Sequence, residues 1–170
     1  MEIEVLNCKD KRLEDYVIRS IEFYGKKLIK NTRIYNNIHI EVQFTSDIKD
    51  MGSASIDGYN SAKKARDFLI EINNKISGKN VLMTLAHEMI HIKQYVYGEM
   101  DDQLSMWKGE IVDENAMEYY DHPWEIEAYG KEQGLFSGFV VQEKLWDVFT
   151  GIYNQETPIK KQKIGWKIKK

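Results

Sequence analysis

The chain has 170 residues, the length of one ordinary domain with room for a real core. Hydrophobic residues make up 42% and charged residues 30%, which separates it from disordered, collagen-like and membrane compositions. With 24 basic residues against 27 acidic ones the net charge is −3, so overall charge makes no case for a nucleic-acid partner. No apolar run reaches the roughly 18 residues of a membrane span, and the opening MEIEVLNCKDKRLEDY lacks the basic start and apolar stretch of an export signal. Cys8, the only cysteine, cannot form an intramolecular disulfide and reads as an ordinary small residue, so the expected compartment is a reducing cytoplasm.

In chain order, Leu13, Val17, Ile21, Tyr24 and Leu28 step by fours and threes, predicting an amphipathic helix over Asp10–Lys30. Ile38, Ile40, Val42 and Phe44 alternate with His39, Glu41, Gln43 and Thr45, as in a strand with one buried face. The glycines of MGSASIDGYN suggest turns around a short strand, and Phe68, Ile70 and Ile72 alternate into another. Leu82, Leu85, Met89, Ile92 and Val96 then predict a helix over Asn80–Gly98, with Gly98 as its cap. The stretch Glu99–Glu127 carries ten acids and a single base, Lys108, and reads as a hairpin or a long loop at an active site. A last helix is expected from His122-Pro123 towards Phe139, since proline suits a first turn. Leu145–Lys170 is expected to complete the sheet or pack beneath it. Its six lysines after Pro158 would suit an anionic partner if the segment were free, but Ile164, Trp166 and Ile168 alternate as a half-buried strand. No repeat or linker interrupts the chain, so a single α+β domain over residues 1–170 is expected.

One motif carries chemistry. His87-Glu88-Met89-Ile90-His91 is an HExxH sequence on the Asn80–Gly98 helix, with a chance occurrence of roughly 1% at this composition. At ~100° per residue the two imidazoles lie one turn apart and within about 40° of each other, so they can converge on one metal ion. Glu88 falls at the edge of that face, where it can hydrogen-bond a water on the metal instead of ligating it, as a general base should. A catalytic zinc takes three protein ligands, and the continuation IKQYVYGEM offers no histidine or cysteine. Pro123-Trp124-Glu125-Ile126-Glu127-Ala128-Tyr129 offers carboxylates instead. Counting ~100° per residue from Trp124, Glu125 falls at about 100°, within the apolar face of Ala128, Phe136 and Phe139, and Glu127 falls at about 300°, where a solvated glutamate belongs. Glu125 is therefore the expected third ligand, with Glu127, His122 and Asp121 as alternatives. Ala128 is small enough to admit a close approach of the two helices.

HExxH followed by an ExxA helix resembles the gluzincin arrangement of zinc metallopeptidases. The combination HEMIHIKQY…MWKG…YYDHPWEIEAYGKE resembles small phage- and virus-encoded metallopeptidases over roughly residues 80–135. The resemblance implies a minimal zincin-like fold: a twisted, mostly antiparallel sheet against the active-site helix, with an edge strand bordering the substrate cleft. It maps His87, His91 and Glu125 onto ligands and Glu88 onto the base, and a phage or viral source would place the protein in host cytoplasm. Tyr129 stands where the ExxxD pattern has an acid, and Glu132, on the same helical face as Glu125, is the candidate substitute.

An amide-hydrolysing site also needs a donor for the oxyanion. His122 is the sharpest candidate, ahead of Tyr119, Tyr120 and Tyr129. Gln94, on the stripe of His87 and His91, reads as satisfying local polar groups, and Trp107 as core or cleft wall. The leading reading is a zinc-dependent hydrolase of peptide bonds that accepts an extended polypeptide beside an edge strand, with no membrane or nucleic-acid partner. The competing reading is a non-catalytic binding or structural protein whose metal serves stability. Glu88 argues against it, because a structural site has no use for a carboxylate beside its histidines.

Overall fold

The computed structural model describes residues 1–146, so the strand expected at Ile164–Ile168 and the lysine-rich end lie outside the described residues. The chain opens with a strand that periodicity does not reveal, β1 (Glu2–Leu6), whose Ile3 and Val5 alternate with Glu2 and Glu4 before Leu6 breaks the pattern. Helix α1 (Lys11–Leu28) follows, started by Asp10, whose carboxylate accepts from the Arg12 and Leu13 N–H groups. It buries Val17, Ile21 and Tyr24 on the expected stripe. A short helix α2 (Thr32–Asn36), capped by Asn31, leads into β2 (His39–Thr45).

Strands β3 (Gly52–Tyr59) and β4 (Ala65–Asn73) complete a four-stranded sheet in the order β1-β2-β4-β3. The fold is α+β, but the sheet is mixed, not mostly antiparallel: β1 with β2 and β2 with β4 run parallel, and β3 with β4 alone is antiparallel in this sheet. Connection length explains this. Parallel partners need a crossover of a dozen or more residues, which α1 and α2 supply between β1 and β2, whereas β3 and β4 are joined by a tight turn. Parallel register sets Ile40 beside Phe68 and Val42 beside Ile70, so Ile40, Val42, Phe44, Phe68, Ile70 and Ile72 make one continuous buried face.

Helix α3 (Gly78–Tyr97) packs on β3, β4 and α1. Ser77 caps its start by accepting from the Asn80 N–H, and Gly98 ends it in the left-handed conformation at φ 65°. Leu82, Leu85, Met89 and Ile92 are fully buried, and the Tyr24 hydroxyl donates to the Leu82 carbonyl at 3.1 Å, tying α1 to α3. The edge strand β3 comes so close to α3 that a Cβ at Gly52 would lie 2.6 Å from Thr84 Cγ2 and 3.0 Å from the Glu71 carbonyl. Glycine is what permits that approach.

The acidic stretch contains a two-residue hairpin, β5 (Met106–Trp107) and β6 (Glu110–Ile111), then single 3-10 turns at Glu114–Ala116 and Tyr119–Asp121. Helix α4 (Pro123–Glu143) begins on Pro123 as expected and runs one turn beyond Phe139. It packs chiefly on α3 through Trp124, Ala128 and its neighbours, and Phe136, Phe139, Val140 and Leu145 join the main core. Among the described residues no helix is long and apolar enough to cross a membrane.

Candidate metal centre

HExxH lies in the buried middle of α3, starting one turn after the Gly52–Thr84 contact, with His87, Glu88 and His91 all less than 9% exposed. Helix α4 crosses close by and presents Glu125, 5% exposed, from its first turn. The two imidazole Nε2 atoms are 3.1 Å apart. Glu125 Oε2 is 3.2 Å from His87 Nε2, and Glu125 Oε1 is 3.5 Å from His91 Nε2. The three residues can offer ligand atoms that all lie within 4.8 Å of one another, a cluster able to hold a metal ion.

Hydrogen-bond accounting shows what this cluster lacks. His87 Nδ1 is 2.7 Å from Glu132 Oε2 and His91 Nδ1 is 2.8 Å from Gln94 Oε1. An ionised carboxylate and an amide oxygen only accept, so both Nδ1 atoms must donate, and in neutral rings both Nε2 atoms then carry lone pairs. Two nitrogen lone pairs and a carboxylate thus face one another in a buried space. With both rings neutral, Glu125 Oε2 is left without a hydrogen-bond donor. Such an arrangement repels itself unless a cation, or a proton on one of the rings, stands between the acceptors. Tetrahedral zinc with arms of about 2.0–2.1 Å has ligand edges of roughly 3.3 Å, near the 3.1 Å between the two Nε2 atoms and the 3.2 and 3.5 Å from the rings to the two separate Glu125 oxygens. Two imidazoles and a carboxylate are also a donor set suited to zinc and its first-row neighbours. His87, His91 and Glu125 therefore fit a metal ion.

The same arrangement perturbs protonation. Burial opposes charging His87, but hydrogen bonds to Glu125 and Glu132 and the charge of Glu88 outweigh it and raise the ring to about 9. Glu125 is pulled down to about 2, since the bonds from His87 and His91 overcome its burial. Burial raises Glu88, against the opposing pull of the two histidines. A site that keeps a proton on imidazole well above its ordinary range is electrostatically built for positive charge.

The remaining candidates divide. The Glu132 carboxylate takes the orienting position beside His87. His122 is 9% exposed, stacks on Trp124 with centroids 4.8 Å apart, and places Nε2 3.1 Å from the Glu114 carbonyl, so its ring is engaged outside the cluster. Asp121 is exposed and takes no part in the cluster. Tyr119 faces Glu125: burial and that carboxylate push its phenol up. Tyr129 sets its ring edge-on to His87 at 4.7 Å and contacts Tyr120 at 5.5 Å, so the three tyrosines line the approach to the imidazoles. Trp107 packs 6.4 Å from Trp124, at the wall near the start of α4.

Glu127 corrects the helical-phase reading. Its side chain is 12% exposed, not solvated, and bonds Lys93 at 3.1 Å, Gln94 at 3.1 Å and Lys131. Phase along one helix misjudges it because the C-terminal turns of α3 cover the second side of α4 as well. Sequence reasoning also undervalued Gln94, which is wholly buried and touches three partners. The sequence marks it only by its place one turn after His91 on the stripe of the two histidines, which does not reveal its partners on α4.

No family description, no curated protein and no solved structure matches the chain. What stands in common with the gluzincin arrangement is the cluster itself: two histidines and a glutamate that could hold a metal ion, on an α+β frame with a mixed sheet.

Proposed function

We propose that the protein is a zinc-dependent hydrolase of peptide bonds. The observation that carries this reading is the set of lone-pair atoms on His87, His91 and Glu125, converging without a donor between them and flanked by a fourth buried group, Glu88, that is not one of the three. A structural zinc site closes its fourth position with another ligand, whereas a hydrolytic one keeps a carboxylate free for proton transfer. When bound, zinc would polarise the scissile carbonyl and acidify water.

The chain's own residues then have separate roles. Glu88 accepts the proton of the attacking water as the C–O bond forms, and delivers it to the amide nitrogen as the C–N bond breaks. Burial favours this, because a carboxyl raised above its ordinary range holds a proton between the two transfers more readily. Charge developing on the carbonyl oxygen needs a donor. Tyr119 is the proposed one, since its phenol already faces Glu125, whereas His122 would first have to leave the Glu114 carbonyl. The substrate is proposed to lie extended along β3, the sheet edge next to α3, whose outward residues Ser53, Ser55, Asp57 and Tyr59 are exposed.

Metal analysis joined to a turnover assay tests the reading. The protein purified without chelators should carry about one zinc per chain and cut an unfolded polypeptide, and chelator should abolish cutting. Glu88→Gln should keep its zinc and lose turnover by roughly 10²–10⁴-fold, the range of a lost general base. A full equivalent of zinc with no turnover on any unfolded polypeptide would favour the structural role instead, and a metal-free protein would remove the assignment.

A further inference from the structure

We infer that Gln94 is a positioning residue that sets two metal ligands at once, fixing the tautomer of His91 on its own helix and the placement of Glu125 on the next. The inference rests on the metal-site reading and concerns a residue outside the three ligands and the base.

The argument begins with the amide's ambiguity. A buried glutamine has a donating and an accepting end of nearly equal size, and only its surroundings decide which way it points. Gln94 is 0% exposed, so water does not contribute to that choice. One end of its amide is 3.1 Å from the Trp124 carbonyl and 3.1 Å from Glu127 Oε2. Both are acceptors, so that end must be the NH₂. The other end, 2.8 Å from His91 Nδ1, must be the oxygen. An oxygen there requires His91 to carry its proton on Nδ1, which leaves Nε2 as the lone pair facing His87 and Glu125. The tautomer of a ligand on α3 is thus dictated by a backbone carbonyl on α4.

The same two donor bonds act in the other direction. Trp124 immediately precedes Glu125, and Glu127 sits two residues after it, so the Gln94 NH₂ grips the first turn of α4 on both sides of the ligand. Glu127 is in turn held by Lys93, the neighbour of Gln94, and by Lys131. Lys93 also bonds Glu99 at 2.6 Å, just beyond the end of α3. One amide therefore connects His91 to the segment that carries Glu125, and neither ligand is oriented independently of the other. A residue serving only to satisfy stray polar groups would not need all of its partners to lie beside ligands.

The test uses the whole protein with His91 observed directly. Nitrogen-15 NMR of the metal-free wild type, at a pH where the ring is neutral, should find His91 in the Nδ1–H tautomer. Gln94→Met, which keeps the volume and removes both polar ends, should release the ring to a mixture of tautomers and raise the zinc dissociation constant by about 10–100-fold, the range for orienting partners of metal-bound histidines. Gln94→Glu, which keeps an acceptor towards His91 but loses the NH₂ that holds the first turn of α4, should restore the Nδ1–H tautomer without restoring the affinity, and full recovery of affinity would overturn the part of the inference that concerns Glu125. An Nε2–H ring in the wild type overturns the inference whatever the metal does. So does a folded Gln94→Met protein that binds zinc like the wild type. A wild type that shows the Nδ1–H tautomer and binds zinc but cuts no unfolded polypeptide would instead remove the peptidase reading and leave the role of Gln94 standing.

Discussion

A neutral imidazole offers one lone pair, and the residue bonded to its other nitrogen decides which atom carries it. At His87 that residue is Glu132, 2.7 Å from Nδ1, seven positions after Glu125 on α4. Because an acceptor fixes the ring and makes Nε2 more basic, Glu132→Gln should weaken zinc binding by about 10–100-fold while Glu125→Ala, which deletes a ligand, should cost far more. Competition with a chelator of known affinity would check both, and equal effects from the two variants would mean that Glu132, too, reaches the metal. His87, Glu88, His91 and Glu125 were legible in the sequence because a helix converts residue spacing into direction, and all four lie on two helices. Tyr129 at the ExxxD position and Glu132 beyond it could be weighed in the same way. Gln94 and Glu127 could not, since their roles depend on which side of α4 the end of α3 covers, and phase along one helix holds no information about its neighbour.

At the scale of elements, the joint between α3 and α4 is held by charge as well as by packing. Burial alone would raise the Glu127 carboxyl, but bonds from Lys131, Gln94 and Lys93 prevail and bring it down to about 2. A folded-state value below the unfolded one means that Glu127 contributes stability at neutral pH, present above the ordinary carboxylate range and lost as pH falls towards 2. Chemical unfolding at pH 7 and pH 3 should therefore show a smaller acid loss in Glu127→Gln than in the wild type. An identical loss in both would show that the network does not couple to folding. Glu127→Ala at pH 7 should cost about 1–3 kcal/mol, because it leaves the buried Gln94 NH₂ and Lys93 short of an acceptor. Elements with a strong period were legible beforehand, α1, β2, β4 and α3 within a few residues. The strand β1 was not, since in five residues only Ile3 and Val5 alternate with acids before Leu6 breaks the pattern, and parallel pairing was hidden because a strand's sequence does not name its partner.

For the whole molecule, the consequence of the site is that a metal would tie together two helices whose ligands are distant in the chain. His91 and Glu125 are separated by the hairpin, both 3-10 turns and the acidic stretch, a segment with little buried apolar surface of its own: Met106, Ile111, Met117, Tyr119 and Tyr120 are all exposed. Packing of α4 on α3 must therefore hold that segment at both ends, and in the metal-free state it does so across a buried cluster whose acceptors are relieved only by a proton held on His87. A cation that binds the folded chain and not the unfolded one adds RT ln(1 + [L]/Kd), about 2.7 kcal/mol when free metal stands at a hundred times Kd. For a chain of this length that corresponds to a rise in Tm of roughly 5–11 °C. Zinc added to the metal-free wild type should produce a shift of this order, and Glu125→Ala should show almost none under the same free-metal concentration. Glu88→Gln should shift like the wild type, because its carboxylate belongs to the chemistry and not to the tie. A shift that survives Glu125→Ala would mean that zinc stabilises the fold from somewhere else, and a missing shift in Glu88→Gln would make Glu88 a ligand.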